Sequence, residues 1–431
     1  MTATNEYNEE NDSFIGETIF QRYKIINKLG QGSFGSIYVA ESKNSHKLYA
    51  IKLEDMKEDQ FILEEESILL SKINIPRVPK LKAFGYCGSY IILVMELLGK
   101  SLDKLFNQLP SKKMSIRCVC NIAYQLILIF ECIHNCNIIH RDIKPANIAI
   151  GREERSKFIY LLDFGLSKQY ISSKTKKHFP FVQNNKFVGN ARYSSINALN
   201  GGTQSRRDDL ESIGYVILFL LLGRLPWQGH ISHSKEDKYY KIKQIKKQTT
   251  PEQLCQGLPK QFEEYVKYTR NLEYEEAPNY DYLKELFLSV LKNYNWEFDY
   301  YYDWDQSRLT HSEIKDKEKE HDISINSFKV DHQTSKINNK ISDLINERKN
   351  YGSGFDVDRF VFDVEEDSGF NYIRTKSGNQ VTDTEYDNYF YSNSMTPYAR
   401  NNKKKPTKQG GCMPCQPKGY KDTDNDCCII Y

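Results

Sequence analysis

Residues 140–147 read His140, Arg141, Asp142, Ile143, Lys144, Pro145, Ala146, Asn147, and a second short signature, Asp163, Phe164, Gly165, stands downstream. The two stretches bring together carboxylates, an ammonium and an amide. Transfer of a phosphoryl group asks for such a set: a carboxylate near the attacking hydroxyl, a cation near the transferred γ-phosphate, and oxygen ligands for Mg²⁺ bridging the phosphates. In that assignment Asp142 orients the hydroxyl and accepts its proton, Lys144 neutralises the phosphate, and Asn147 and Asp163 hold the metal. His140 reads as structural, because no second histidine or cysteine near it has metal-ligand spacing.

Upstream, Gly30, Gln31, Gly32, Ser33, Phe34, Gly35 have G-x-G-x-x-G spacing. Tyr23, Ile25 and Leu29 before the run and Ile37 and Val39 after it predict strands on both sides, which argues against a dinucleotide-binding turn. A glycine hairpin can close its backbone amides onto phosphate oxygens because no Cβ blocks the approach. Taken alone, such a hairpin is equally a structural device. Tyr49, Ala50, Ile51, Lys52 follow as a strand ending in lysine, which by itself reads as an edge-strand lysine. A cation held against phosphates needs a carboxylate to orient it, and Glu66 is the candidate, with Glu64 and Glu65 as competitors. Phe61 with Ile68, and Ile62 with Leu69, lie seven apart and predict a helix under those glutamates.

The chain has 431 residues, with 60 Lys plus Arg against 57 Asp plus Glu and a net charge of +3. Charge therefore singles out no nucleic-acid partner. Hydrophobic residues at 39% and aromatics at 13% exclude a chain disordered throughout. The longest apolar run, Ile213 to Leu222, is well short of the roughly 18 residues of a membrane span and predicts a buried helix. Met1 to Asp12 lacks a secretory signal, and Thr2 stands where myristoylation needs glycine. Cys87, Cys118, Cys120, Cys132, Cys136 and Cys255 are then expected as reduced thiols in a cytoplasmic, monomeric protein. Strand signals fill the first ninety-odd residues and helical ones dominate after Ser101, so the fold class is α+β, with a small β-rich lobe before a larger α-rich one. The folded unit is placed at 17–305. Residues 1–16 and most of the mildly acidic 306–402 segment are expected to be flexible, with a helix near Ile337 to Arg348.

These motifs resemble those of eukaryotic protein kinases, and further segments narrow the resemblance. Asp163 to Lys168 reads DFGLSK, Gly189 to Asn197 reads GNARYSSIN, Gln204 to Tyr215 reads QSRRDDLESIGY, and Leu225 to Gly229 reads LPWQG. Together they look like the casein kinase I family, which carries Ser-Ile-Asn where most kinases carry Ala-Pro-Glu. The resemblance covers about 17–305 and implies a bilobal serine/threonine kinase using ATP and Mg²⁺ on acidic or already phosphorylated proteins. It implies an ATP site formed by Leu29, Gly30, Gly32, Ser33, Phe34, Gly35, Ile37, Ala50, Lys52, Met95 as gatekeeper, and main-chain groups of Glu96 and Leu98. It also implies a substrate anion site at Arg192, Gly229 and Lys238, a site with a bland alternative in the lysine-rich 235–247 surface. Asp209 would brace the catalytic loop. Asn190 departs from the family threonine near the catalytic aspartate and lysine, and Asn279 from the family's acid. The competing reading is a pseudokinase scaffold that binds ATP without transfer.

At the end, Cys428, Ile429, Ile430, Tyr431 fits a prenylation frame, though with an unusual last residue, and Cys427, Cys412, Cys415 and the lysines from 403 accompany it. Lipidation at Cys427 and Cys428, with a membrane surface as partner, competes with unmodified thiols and with a small zinc site that the adjacent cysteines fit poorly. Ser368, preceded by Asp363, Glu365, Glu366 and Asp367, has the look of an autophosphorylation site, against the blander reading of an ordinary acidic stretch in a flexible tail.

Overall fold

Side chains of period two build the small lobe, and both faces of its sheet are buried. The computed structural model describes residues 13–32, 35–57, 61–73, 75–232, 234–305, 332–351 and 361–363. The first elements are β1 (Thr18–Ile19), β2 (Tyr23–Gly32), β3 (Gly35–Ser42), β4 (Leu48–Asp55), α1 (Ile62–Lys72), β5 (Leu81–Cys87) and β6 (Tyr90–Glu96). The strands pair antiparallel in the order β1-β2-β3-β4-β6-β5. On β6, Ile91, Leu93 and Met95 join the cluster shared with α1 and the large lobe, while Ile92 and Val94 face the opposite way. Phe14 closes that second face, its ring 5.8 Å from Tyr38 and 4.9 Å from Tyr90. The ordered lobe thus begins before residue 17, because an aromatic ring is needed over the outer face.

The large lobe follows with α2 (Leu102–Gln108), α3 (Ile116–Asn135), β7 (Ile138–Ile139), β8 (Ile148–Ile150), β9 (Ile159–Leu161), β10 (Lys168–Gln169), α4 (Ile196–Leu199), α5 (Arg206–Leu222), α6 (Lys235–Gln248), α7 (Pro251–Leu254), α8 (Lys260–Asn271) and α9 (Tyr280–Asn293). Helix α3 starts where the Ser115 hydroxyl accepts the Cys118 amide, and it packs on α5 and α9. By length and composition α3 could cross a membrane, but most of it is sealed inside the lobe, as a core helix is. Helix α5 holds the expected run Ile213 to Leu222; at its start the Ser205 amide donates to the Asp208 carboxylate at 2.7 Å, and Gly223, at φ 78°, ends it. Asn279, in place of the family's acid, does a cap's work: its side chain accepts the Tyr282 amide at 2.9 Å.

Two pieces of the segment expected to be mostly flexible belong to the small lobe. Helix α10 (His332–Tyr351) contains the helix foreseen near Ile337 to Arg348 and packs on α1. Strand β11 (Val361–Asp363) adds to the edge of β5, with Phe362 opposite Phe84. The segment is polar overall but carries apolar positions at helical spacing: Ile341, Leu344 and Ile345 of α10 are buried. Ser368 lies outside the described residues.

Leu126, fully buried in α3, tests whether this helix is the structural centre of the large lobe. Leu126→Ala is expected to lower unfolding stability by about 2–5 kcal/mol in chemical denaturation.

Candidate active site

The loop after β7 is held by a buried carboxylate from elsewhere in the chain. Asp209, near the start of α5, accepts the His140 amide at 2.8 Å and the Arg141 amide at 3.0 Å, and its Oδ2 also lies 2.9 Å from His134 Nε2. The His140 ring is fully buried, with Nε2 3.0 Å from the Leu162 carbonyl oxygen and the ring edge-on to Phe164 at 5.1 Å. Its structural assignment agrees with these contacts. Arg141 and Asp163 sit at φ 68° and 64°, a region that non-glycine residues enter only when their surroundings hold them there.

So anchored, the loop presents Asp142. Lys144 Nζ donates to its Oδ2 at 2.7 Å, Asn147 Nδ2 to the same oxygen at 3.1 Å, and the Asn190 amide to its Oδ1 at 3.0 Å. The Asn190 side chain turns away and accepts the Arg192 amide. The departure from threonine therefore leaves the hold on Asp142 to the backbone. Gly189 lets that backbone approach: a Cβ there would stand 2.5 Å from the Arg141 carbonyl oxygen.

Across the cleft, Lys52 Nζ lies 2.8 and 3.0 Å from the two Glu66 oxygens and 3.1 Å from Asp163 Oδ1. All three groups are buried. The Phe164 amide donates to Glu66 at 3.1 Å, so one glutamate orients both the strand lysine and the Asp163 turn. Burial pushes the Asp163 carboxyl up, but the Lys52 and Lys144 cations outweigh it and hold it below its ordinary value. Of the competing glutamates, Glu64 bonds Tyr86 and pairs with Arg348, and Glu65 lies in the field of Arg141 and Lys168.

The glycine hairpin joins β2 to β3, between strands as expected. Ser33 and Phe34 lie outside the described residues. Gly35, at φ 136°, admits no side chain, since a Cβ would fall 1.9 Å from the Leu53 carbonyl oxygen. A cleft lies beneath it, lined by Gly32, Gly35, Ile37, Lys52, Glu66 and Asp163. Ala50 pairs across the sheet with Met95, which is buried, and Leu29 packs at the core's margin. The Glu96 amide is engaged by the Lys80 carbonyl at 3.0 Å.

Several working residues were not legible beforehand. Glu54 of β4 caps α1, its carboxylate accepting the Ile62 and Leu63 amides at 3.0 and 2.8 Å where Phe61 offers no cap. Lys246, assigned to the basic surface with its neighbours, is instead fully buried. It donates to the Ala191 and Ser194 carbonyls and lies 4.4 Å from the Tyr215 ring centroid and 4.8 Å from that of Trp227. It therefore fastens the loop that carries Asn190. The Trp227 indole donates to the Arg192 carbonyl at 2.7 Å, which ties the Gly229 turn to Arg192, while Lys238 stands on α6. Arg224 adds a cation beside that turn, 3.3 Å from where a Gly229 Cβ would lie. The partners of Lys246 and Trp227 are remote in sequence from the groups they serve, 35 to 55 positions away. The six cysteines from Cys87 to Cys255 are free thiols, whereas Cys412, Cys415, Cys427 and Cys428 lie outside the described residues.

A family model, the protein kinase domain, matches residues 23–290. The chain belongs to the protein kinase family, whose domain binds ATP and transfers a phosphoryl group from it. A divalent metal normally accompanies that nucleotide, and this chain's residues fit one: Asn147 Oδ1 is buried with no hydrogen-bond partner among the described residues, and Asp163, which lines the cleft, is kept ionised by the Lys52 and Lys144 cations.

Burial raises the Glu54 carboxyl to about 7 against the pull of the two amides. A folded-state pKa above the unfolded value means that the native protein binds the extra proton, so this group's contribution is full below about 4.5 and is lost as pH rises through about 7. Glu54→Gln is expected to flatten the decline of stability across that window, read as denaturation midpoints at several pH values against the wild type.

Proposed function

We propose that the protein is a serine/threonine kinase of the casein kinase I type, moving the γ-phosphate of MgATP to hydroxyls in acidic or already phosphorylated protein segments. The observation that carries the catalytic part is the assembled cleft: Lys52 is gripped by Glu66 and Asp163, while Asp142 is held by Lys144, Asn147 and the Asn190 amide. In the reaction the substrate oxygen attacks the γ-phosphorus, its proton passes to Asp142, and the bond to ADP breaks. Lys144 and Lys52 stabilise negative charge on the phosphates from opposite sides. A Mg²⁺ held by Asn147 Oδ1 and Asp163 would screen the phosphate oxygens.

The subfamily reading is supported by the segments at 163–168, 189–197, 204–215 and 225–229. The substrate preference is supported by Arg224 beside the Gly229 turn and by the Trp227 tie of that turn to the Arg192 backbone; the Gly229 φ of 76° suits a turn that offers its amide to an anion, with Arg192 and Lys238 as the further cations the resemblance implies. A membrane surface as partner, through Cys427 and Cys428, rests on sequence alone, as does the cytoplasmic placement.

Asp142→Asn is expected to lower transfer from ATP to casein by about 10²–10⁴-fold with nucleotide affinity retained. Equal inertness of wild type and variant, both binding ATP, would favour the scaffold reading. Ser, Thr and Tyr versions of one acidic peptide decide the hydroxyl class. The Arg192→Ala, Lys238→Ala double variant is expected to lose roughly tenfold of its preference for a phosphorylated over an unphosphorylated peptide, measured as the ratio of kcat/KM values.

A further inference from the structure

Helix α1 carries Glu66, so whatever holds α1 also holds Lys52. Its inner side packs on the small-lobe sheet, and another flank is covered by α10, a segment beyond the matched kinase domain. Ile341, Leu344 and Ile345 of α10 join the apolar cluster that contains Leu63, Ile68, Leu69 and Leu70 of α1. Polar contacts mark both ends of the contact. At one, Ser71 Oγ lies 3.2 Å from Asn338 Oδ1. At the other, Arg348 pairs at 2.6 Å with Glu64, and its guanidinium lies 4.0 Å from the ring centroid of Phe61, the residue just before α1. The two helices thus run antiparallel.

Glu64 is the revealing residue. Its side chain has no exposure, it stands two positions before Glu66 on the same helix, and besides Arg348 it accepts the Tyr86 hydroxyl at 2.9 Å. A buried carboxylate deprived of its cation is strongly unfavourable, so α1 with Glu64 sealed in this place needs Arg348 against it. Strand β11 on the β5 edge holds the far side of the same segment to the same lobe.

We propose that α10 is a resident activating brace and that Arg348 is a positioning residue, acting through Glu64 and α1 to keep Glu66 turned toward Lys52; the role in catalysis rests on the kinase reading above. Release of α10 would bare Glu64 to water, free α1 to rotate, and part Glu66 from Lys52. The kinase domain would then depend on a stretch of chain some forty residues past its own end for full activity.

The test uses the full-length chain. Arg348→Ala is expected to lower kcat at least tenfold, raise KM for ATP, and speed amide hydrogen exchange in 61–72 while exchange in α3 and α5 stays as in the wild type. Arg348→Lys, which keeps the charge, should fall between the two. Adding Glu64→Gln to Arg348→Ala should restore much of kcat, because the stranded charge is gone. Asn339→Ala, on the exposed side of α10, should match the wild type. Unchanged kcat and exchange in Arg348→Ala would overturn the proposal, as would a loss spread over both lobes that Glu64→Gln does not relieve. Should the wild type transfer no phosphate, the kinase reading fails separately, and the exchange of 61–72 still decides whether α10 braces α1.

Discussion

One buried ammonium ties the molecule's two halves together. Lys52 Nζ on a small-lobe strand reaches Glu66 on α1 and Asp163 beyond the catalytic loop, and the residues it joins are separated by 14 and 111 positions. Desolvating three charges is costly and is compensated only when geometry is close, so the cleft tolerates little displacement of any of the three. Counted with Asp142 and Lys144, the cluster holds three carboxyl groups against two amines. A divalent cation arriving with a polyanionic nucleotide suits that balance.

The same device recurs in the supports around the site. Asp209 gathers the amides of the catalytic loop, Glu54 caps the helix that presents Glu66, and Lys246 fastens the carbonyls next to Asn190. Each is a buried titratable side chain bonded to backbone groups. That arrangement meets hydrogen-bonding demand the main chain leaves unmet and also locks loops that have no regular structure. Hydrophobic packing supplies the lobes, but these polar ties set where the loops stop.

Legibility followed distance along the chain. The loop 140–147, the glycine hairpin and the strand carrying Lys52 are readable because their chemistry is local, and the strands of the small lobe because alternation is local too, although Lys52 sits inside the interior strand β4 and not at a strand end or sheet edge. Glu66 could be chosen over Glu64 and Glu65 only as a candidate. What separates the three is which neighbour each meets: Lys52, Arg348 with Tyr86, or the field of Arg141 and Lys168. Lys246 is the same case, since a lysine among lysines looks solvated until Tyr215 and Trp227 close over it.

Sequence by itself therefore determined the fold class and the order of the short motifs that line the cleft, because their residue types answer directly to phosphate chemistry. Tertiary structure alone decided which carboxylate faces Lys52, how Asn190 serves Asp142 through its backbone, and that a helix at 332–351 belongs to the small lobe. Those outcomes depend on long-range pairings of buried charge and apolar surface. Pattern along a chain does not encode which distant partner will complete a pair.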